Sequence, residues 1–487
     1  MNYFLGNMLP EERNALPDLR TTAAFVSWIT ERYGDQPALS NEKESVTYRE
    51  LRQRVAGKRH LLARMGMPNG TNVGLLDVNS VEEVEWFLAV TSYGCCAVML
   101  PPSMSPEVLR RAADHYDLSA LIQGDQFASK TEGLSLKTIS MHEMDDEGSD
   151  PKDVQGTDLA AIFFTGGTTG TPKGVMLSHQ ALMRGAKNGT YRRGTIYGQT
   201  LVAALPFTHV FGMIFSMLSG LYCGSHVWVC SEMRLLFREM GRVRPTTMIA
   251  VPGMAELMLS VAKAKGIEAL GGRLKLIICG AAPVPAKLRE GFDPLGVEVL
   301  AGYGLTETAN LVSGNLDMFL HPDSVGKQYP DQEYRLVEGE LQVRGDMLFD
   351  GYWKDEAATQ AAMTQDGWFR TGDLARVDTD GFLYIIGRSK NLIILSNGEN
   401  VSPEEVEAAF YRSPCVRECL VSETAINGKP AILLEVVPAP GVDEEIVMSV
   451  LKTIREELPS PMRPARMILR KEEFEKSASM KIVRKKG

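Results

Sequence analysis

The sequence predicts an α/β protein built on parallel sheet and divided into more than one domain. Three observations carry this. Amphipathic helical patterns alternate with short apolar runs from Tyr48 to Leu300. The 487 residues exceed what one core usually serves, at roughly 100–200 residues per domain. The charge balance also changes along the chain. Residues 388–487 carry sixteen Lys/Arg against fifteen Asp/Glu, whereas the preceding part carries 36 against 46.

Tyr48 to Met65 has the pattern of an amphipathic helix, opened by Thr47 as N-cap with Glu50 three residues on. Asn72–Leu76 reads as a strand, Ser80–Ser92 as a helix, and Ala97–Leu100 as a strand stopped by Pro101-Pro102. The acidic stretch 142–153 reads as a solvated loop. Further strands are expected at Ala160–Phe164, Leu201–Leu205, Met248–Val251, Leu274–Cys279 and Val297–Leu300. Each is a short apolar run between turn residues, as buried parallel strands should be. After Gly326 the pattern changes to hairpins, with Asp373–Asp378 and Phe382–Ile386 flanking Thr379-Asp380-Gly381. Pro403 followed by Glu404, Glu405 and Glu407 marks a helix start. The domain boundary is expected near Arg388–Lys390, giving parts 1–387 and 388–487.

Apolar residues make up 44% and charged residues 23%, which excludes a disordered or collagen-like chain. A net charge of −9 speaks against a nucleic-acid binder. No run approaches the ~18 apolar residues of a membrane span. The N-terminal stretch lacks a basic region followed by an apolar one, so no signal peptide is expected. Seven cysteines without framework spacing suggest reduced thiols and a cytoplasmic protein.

The strongest chemical signal is Phe163-Phe164-Thr165-Gly166-Gly167-Thr168-Thr169-Gly170-Thr171-Pro172-Lys173-Gly174. An apolar strand runs into a loop of glycines, threonines and one lysine. Glycines let backbone N–H groups turn toward an anion, hydroxyls donate further bonds, and Lys173 adds charge. That suits a polyphosphate. Pro172 stands where the Walker A spacing requires glycine, so a P-loop ATPase is excluded.

This segment resembles the signature of the adenylate-forming superfamily, which includes acyl-CoA synthetases, peptide-synthetase adenylation domains and firefly luciferases. Seven further family-like motifs follow in order. They begin at Leu205 (LPFTHVFG), Cys279 (CGAAP), Gly302 (GYGLTE), Gly339 (GELQVRG), Trp368 (WFRTGDL), Gly387 (GRSK) and Lys476 (KSASMKIVR). The resemblance implies a large N-terminal domain of two αβ-layered subdomains plus a small β-barrel, and a small mobile α+β C-terminal domain. It implies activation of a carboxylate by ATP, with pyrophosphate released and an acyl-adenylate formed, then attack by a thiol.

Residue by residue, the resemblance assigns Thr165, Gly166, Gly167, Thr168, Thr169, Gly170 and Lys173 to the ATP phosphates. Gly280, Ala281 and Ala282 would form one side of the adenine site, with Gly302, Tyr303 and Gly304 on the other. Tyr303 read alone is a packed core aromatic. Glu307 would hold Mg²⁺, a hard cation suited to oxygen ligands, and Thr306 would contact phosphate. Asp373 would take both ribose hydroxyls, although after Thr371-Gly372 a turn-capping aspartate is the plain alternative. Arg388 would reach ribose and phosphate. His209 would position the substrate carboxylate and gate its site. Lys481 would bridge carboxylate and α-phosphate. Met480 replaces the family glycine, and Phe474-Glu475 replace Leu-Pro. Lys390 matches the hinge about which the C-terminal domain turns, with Gly398 and Glu399 at the thiol channel presented in the second state.

No acid appears in His209–Leu218, where amino-acid-activating members carry an aspartate for the substrate ammonium. The segment LSNGENVSPEEVE is similar to that of bacterial fatty-acyl-CoA synthetases. The expected substrates are therefore ATP, a medium- to long-chain fatty acid and CoA, with Mg²⁺ as cofactor. Three alternatives stand: loading of a carrier-protein phosphopantetheine, ligation of an aryl or other carboxylic acid, and a non-catalytic acyl- or nucleotide-binding protein. Neither a nucleic-acid partner nor a transmembrane segment is expected, and peripheral membrane contact stays open.

Overall fold

The computed structural model describes residues 16–165, 173–190, 199–329, 332–396, 399–426, 428–476 and 482–484. Two large sheets flanked by helices form its body. The nine-stranded sheet has a parallel centre, in spatial order Glu298–Leu305, Leu276–Cys279, Thr247–Ala250, Thr200–Ala203, His226–Val229 and Pro37–Ser40. Antiparallel strands close both edges. The seven-stranded sheet runs Gly351–Tyr352, Lys173–Ser178, Leu159–Thr165, Cys96–Met99, Asn72–Leu76, Leu118–Gln123 and Lys137–Ser140. Every residue of Leu276–Cys279 and Asn72–Leu76 is buried, as strands covered on both faces require. Gln332–Val337, Glu340–Gly345, Phe369–Val377 and Leu383–Arg388 form a separate four-stranded antiparallel sheet. The mixed α/β architecture expected from the sequence is the one observed.

Local signals place most elements. The helix Tyr48–Arg64 carries a full capping box: Glu50 N–H donates to Thr47 Oγ1 at 3.2 Å, and Thr47 N–H to Glu50 Oε2 at 2.8 Å. The acidic loop 142–153 is mostly exposed, as a solvated loop should be, and is anchored to this helix. Arg59 Nε donates to Ser149 O at 2.8 Å, and a Cβ on Gly57 would lie 2.4 Å from Asp145 O. The glycine is what lets the loop approach. The strand expected to end at Leu300 continues to Leu305 and pairs with Asn310–Asn315, so Gly302-Tyr303-Gly304 lies in sheet, with a bulge at Tyr303/Gly304. A Cβ at Gly304 would sit 2.0 Å from Asn310 O, which explains a glycine there.

The third apolar cluster draws only on residues from Ile393 to Leu458. It lies between the three-stranded sheet Val416–Ile426, Lys429–Pro438, Arg466–Leu469 and the helices Pro403–Tyr411 and Glu444–Glu457. Ser402 caps the first of these helices and also donates to Ile386 O at 2.8 Å.

His179 is fully buried, and burial holds its pKa down at about 4. It therefore stays neutral in the folded chain where the unfolded chain would protonate. Its contribution is present above pH ~6.5 and is lost as pH falls toward 4, about 3 kcal/mol in all. His179→Gln should flatten that part of the acid limb, read from unfolding midpoints between pH 7 and 4.

Candidate active site

The carboxyl ends of the parallel strands in the nine-stranded sheet lie along one edge of it, the edge at which α/β folds bind ligands. Gly280 follows Leu276–Cys279, and Thr306-Glu307 follow Glu298–Leu305. The loop carrying His209 follows Thr200–Ala203. A Cβ on Gly280 would meet Gly302 O at 3.4 Å and Phe211 Cζ at 3.1 Å, so the three motifs touch at one place.

Tyr303 crosses from this sheet to the antiparallel one. Its hydroxyl donates to Asp373 Oδ2 at 2.5 Å. Arg388 clamps the same carboxylate, Nε to Oδ1 at 2.7 Å and Nη2 to Oδ2 at 3.4 Å. Asp373 is buried, and its strand is paired with Leu383–Arg388, which fixes the clamp's register. Burial and the Asp373 charge push the Tyr303 phenol well above its ordinary range, so it remains a donor. The structure thus joins Tyr303, Asp373 and Arg388. Ala281 holds φ at 66°, a left-handed conformation uncommon outside glycine. Ala281→Gly should relieve that strain and stabilise the fold by up to ~1 kcal/mol. It should also loosen the loop and raise KM for ATP, as thermal melts and ATP titration would show.

On the phosphate side, Thr165 and Lys173 face each other in an antiparallel pair. The loop is closed by strand pairing and not by a helix. Gly166, Gly167, Thr168, Thr169 and Gly170 lie outside the described residues. Lys173 Nζ sits 3.6 Å from Asp355 Oδ2 and 4.8 Å from the centre of the Tyr352 ring. Glu307 Oε1 accepts from the Tyr352 hydroxyl at 2.8 Å. Thr306-Glu307-Thr308 form a single 3-10 turn. Thr308 Oγ1 accepts Leu305 N–H at 2.9 Å, which holds that turn in place. Sequence reasoning missed Tyr352.

His209 is half-buried. Its carbonyl accepts N–H groups of Gly212 and Met213, both at 2.9 Å. The preceding segment is held by Asn79, also missed. Asn79 Nδ2 donates to Leu205 O at 2.9 Å, and its Oδ1 accepts Phe207 N–H at 3.0 Å. Asn79 heads no motif, so nothing local marks it. The chain then enters a wide π-helix, Phe211–Leu218, in which Ser216 and Ser219 hydroxyls bond carbonyls five residues back. The Phe211 ring lies against Gly280, and its centre is 5.1 Å from that of the Phe215 ring.

Lys390 lies exposed in the turn Ser389–Asn391 that follows Arg388. Glu399 adjoins the strand Asn400–Val401; Gly398 and Lys481 lie outside the described residues. Around Lys481 the flanking chain is tied down. Lys476 and Ile482 form a β-bridge, and Lys476 reaches Glu418 at 2.5 Å. Arg484 reaches Glu407 at 2.5 Å and donates to Val421 O at 3.0 Å. Among the described residues, no His/Cys/Asp/Glu group forms a metal cluster by itself, and no helix is long and apolar enough to cross a membrane.

Comparison with known proteins places this geometry in context. The chain is 28% identical over 478 residues to a 2-succinylbenzoate–CoA ligase of Bacillus cereus, covering 94% of this chain and 97% of that one. It is 28% identical over 483 residues to a long-chain-fatty-acid–CoA ligase of Escherichia coli O157:H7, covering 86% of each. Its fold superposes on an o-succinylbenzoate coenzyme A synthetase of Bacillus subtilis solved with ATP and magnesium. There the TM-score is 0.80 and the identity 25%, over 94% of this chain and 98% of that one. A family model described as AMP-binding enzyme matches residues 26–353. With its phosphate-loop strands, its Thr306-Glu307 turn and its tyrosine–aspartate–arginine clamp, the chain belongs to the AMP-binding enzyme family.

Proposed function

We propose that this protein is an AMP-forming acid–CoA ligase. It would join ATP to a carboxylic acid lacking an amine, release pyrophosphate, and pass the acyl group from the acyl-adenylate to CoA. The observation that carries the proposal is at the end of strand Glu298–Leu305, where Tyr303 bonds the Asp373–Arg388 clamp and Glu307, four residues on, bonds Tyr352 beside Lys173. A binding relic would have no need of Lys481, the lysine read as acting where the bond forms. The central obstacle is electrostatic, since an anionic carboxylate must approach an anionic phosphate, and oriented cations answer it. Arg388 and Asp373 would orient ribose, Tyr303 and Gly280–Ala282 would hold adenine, and His209 would position the acid. Lys173, Thr165 and Gly166–Gly170 would hold the phosphates, and Lys481 would neutralise charge where the bond forms. Glu307 and Thr306 present hard oxygen donors suited to Mg²⁺, which when bound supplies charge neutralisation at the phosphates. Lys390 would be the hinge between parts 1–387 and 388–487, and Gly398 and Glu399 would line the thiol channel. The separate apolar cluster of the C-terminal part supports that division.

A fatty acid is one substrate class, in line with the relative from Escherichia coli. A compact aryl acid is a second class, in line with the 2-succinylbenzoate–CoA ligase of Bacillus cereus. The test is to supply ATP, CoA and a panel of aryl and C6–C16 acids. AMP and pyrophosphate are the expected products; ADP and phosphate would sink the proposal. Transfer only to carrier-protein phosphopantetheine would replace CoA as the acceptor.

A further inference from the structure

Tyr352 stands between two groups that belong to different sheets. Its strand, Gly351–Tyr352, is the edge of the seven-stranded sheet and pairs with Lys173–Ser178, Tyr352 opposite Val175. Trp353 N–H donates to Gly174 O at 2.9 Å, which fixes the register one residue from Lys173. On the other side, Phe349 N–H donates to Glu307 O at 2.9 Å, and the Tyr352 hydroxyl donates to Glu307 Oε1 at 2.8 Å. The segment 349–353 is therefore a strut from the phosphate-loop strands to the carboxylate beyond the nine-stranded sheet. Its own backbone is held by Thr359, whose Oγ1 accepts Tyr352 N–H at 2.9 Å. The face of the same ring carries Lys173 Nζ at 4.8 Å from its centre, with Asp355 on that ammonium's other side at 3.6 Å.

We propose that Tyr352 is a positioning residue for the magnesium–polyphosphate end of the nucleotide. Its hydroxyl fixes the Glu307 carboxylate through Oε1 and so orients it toward the cation, while its ring steadies Lys173. This rests on reading Glu307 as the cation's ligand. No proton is transferred; the residue works through geometry alone. Its two duties are carried by different atoms, so they can be separated. Tyr352→Phe removes the hydroxyl and keeps the ring. Tyr352→Leu removes both.

The experiment measures the Mg²⁺ dependence of ATP–pyrophosphate exchange. In parallel, it measures the Mg²⁺ dependence of the thermal shift given by α,β-methylene-ATP, which needs no turnover. Glu307→Gln serves as the reference. Tyr352→Phe should raise the half-saturating Mg²⁺ by about fivefold to tenfold in both assays. At saturating Mg²⁺ its KM for ATP should return to near wild type. Tyr352→Leu should show the same Mg²⁺ shift plus a raised KM for ATP that excess Mg²⁺ does not restore. A merely structural role would lower melting temperature and leave the Mg²⁺ midpoint in place. If Glu307→Gln raises the midpoint and Tyr352→Phe does not, the positioning role is overturned and the reading of Glu307 stands. An unmoved midpoint in Glu307→Gln itself would overturn both.

Discussion

Lys481→Ala is expected to cut acyl-adenylate formation by at least ~10³-fold while leaving thiolysis of supplied acyl-adenylate within a few-fold of wild type. Loss of one oriented neutral donor at a developing charge costs ~10²–10³ in rate, and a full ammonium between two anions should cost no less. The described residues on either side of Lys481 are anchored. Ile482, its neighbour, is bridged to Lys476, and Lys476 is bound to Glu418 and Glu473. Arg484 is bound to Glu407 and Glu404. Alanine at 481 removes the cation and leaves those anchors intact, so a folding defect is not expected. The two half-reactions are separated by measuring ATP–pyrophosphate exchange and, with synthetic acyl-adenylate, thioester appearance. Equal loss in both would refute the assignment to one half-reaction.

What the sequence disclosed and what it concealed follow from the range of the forces involved. The capping box at Thr47 and Glu50 spans three residues, and the helix began where it indicated. Buried strands such as Leu276–Cys279 declare themselves by apolar runs, because both faces are covered. Gly304 was legible as part of a motif, but its close approach to Asn310 O across the neighbouring strand was not. Pairing across the chain left no local trace. Tyr352 meets Glu307 across 45 positions, and Asn79 meets Leu205 across 126. A tyrosine after glycine in an edge strand, or an asparagine before a helix, is ordinary in isolation. The π-helix was hidden for another reason. Its stretch from Phe211 to Leu218 is buried on all sides, so no amphipathic period reports the winding, and the hydroxyls that favour the wider turn look like spacing accidents. The acidic loop 142–153 was legible as a solvated turn, but its anchoring by Arg59 and Arg64 and its approach to Gly57 left no trace in its own composition.

Lys390→Pro should abolish thioester formation while adenylation persists, whereas Lys390→Ala should be mild in both steps. Rotation of the C-terminal part requires two things to change, its contacts with the larger part and the backbone of the connecting turn. The contacts include a hydrogen bond from the Ser402 hydroxyl to Ile386 O at 2.8 Å and Lys287 Nζ 5.5 Å from the centre of the Tyr411 ring. Arg412 meets Asp323 at 3.0 Å with both side chains largely exposed, and such a pair contributes ~0–1 kcal/mol. Lys287 Nζ donates to Val416 O at 3.4 Å, a long bond. The backbone change would fall in the turn Ser389–Asn391, entered from Arg388 in extended conformation (φ −106°, ψ 132°) and left through Leu392 (φ −54°, ψ 131°). Proline fixes φ of residue 390 near −65° and narrows the choices of Ser389, restricting two hinge residues at once. Lys390 is exposed, so little packing is lost and the melting temperature should hold. Alanine permits every conformation the lysine does, which isolates backbone freedom from charge. ATP–pyrophosphate exchange and thioester formation, measured separately on both variants, decide the matter. Thioester formed at the wild-type rate by Lys390→Pro would place the hinge elsewhere or show that the second step needs no rotation.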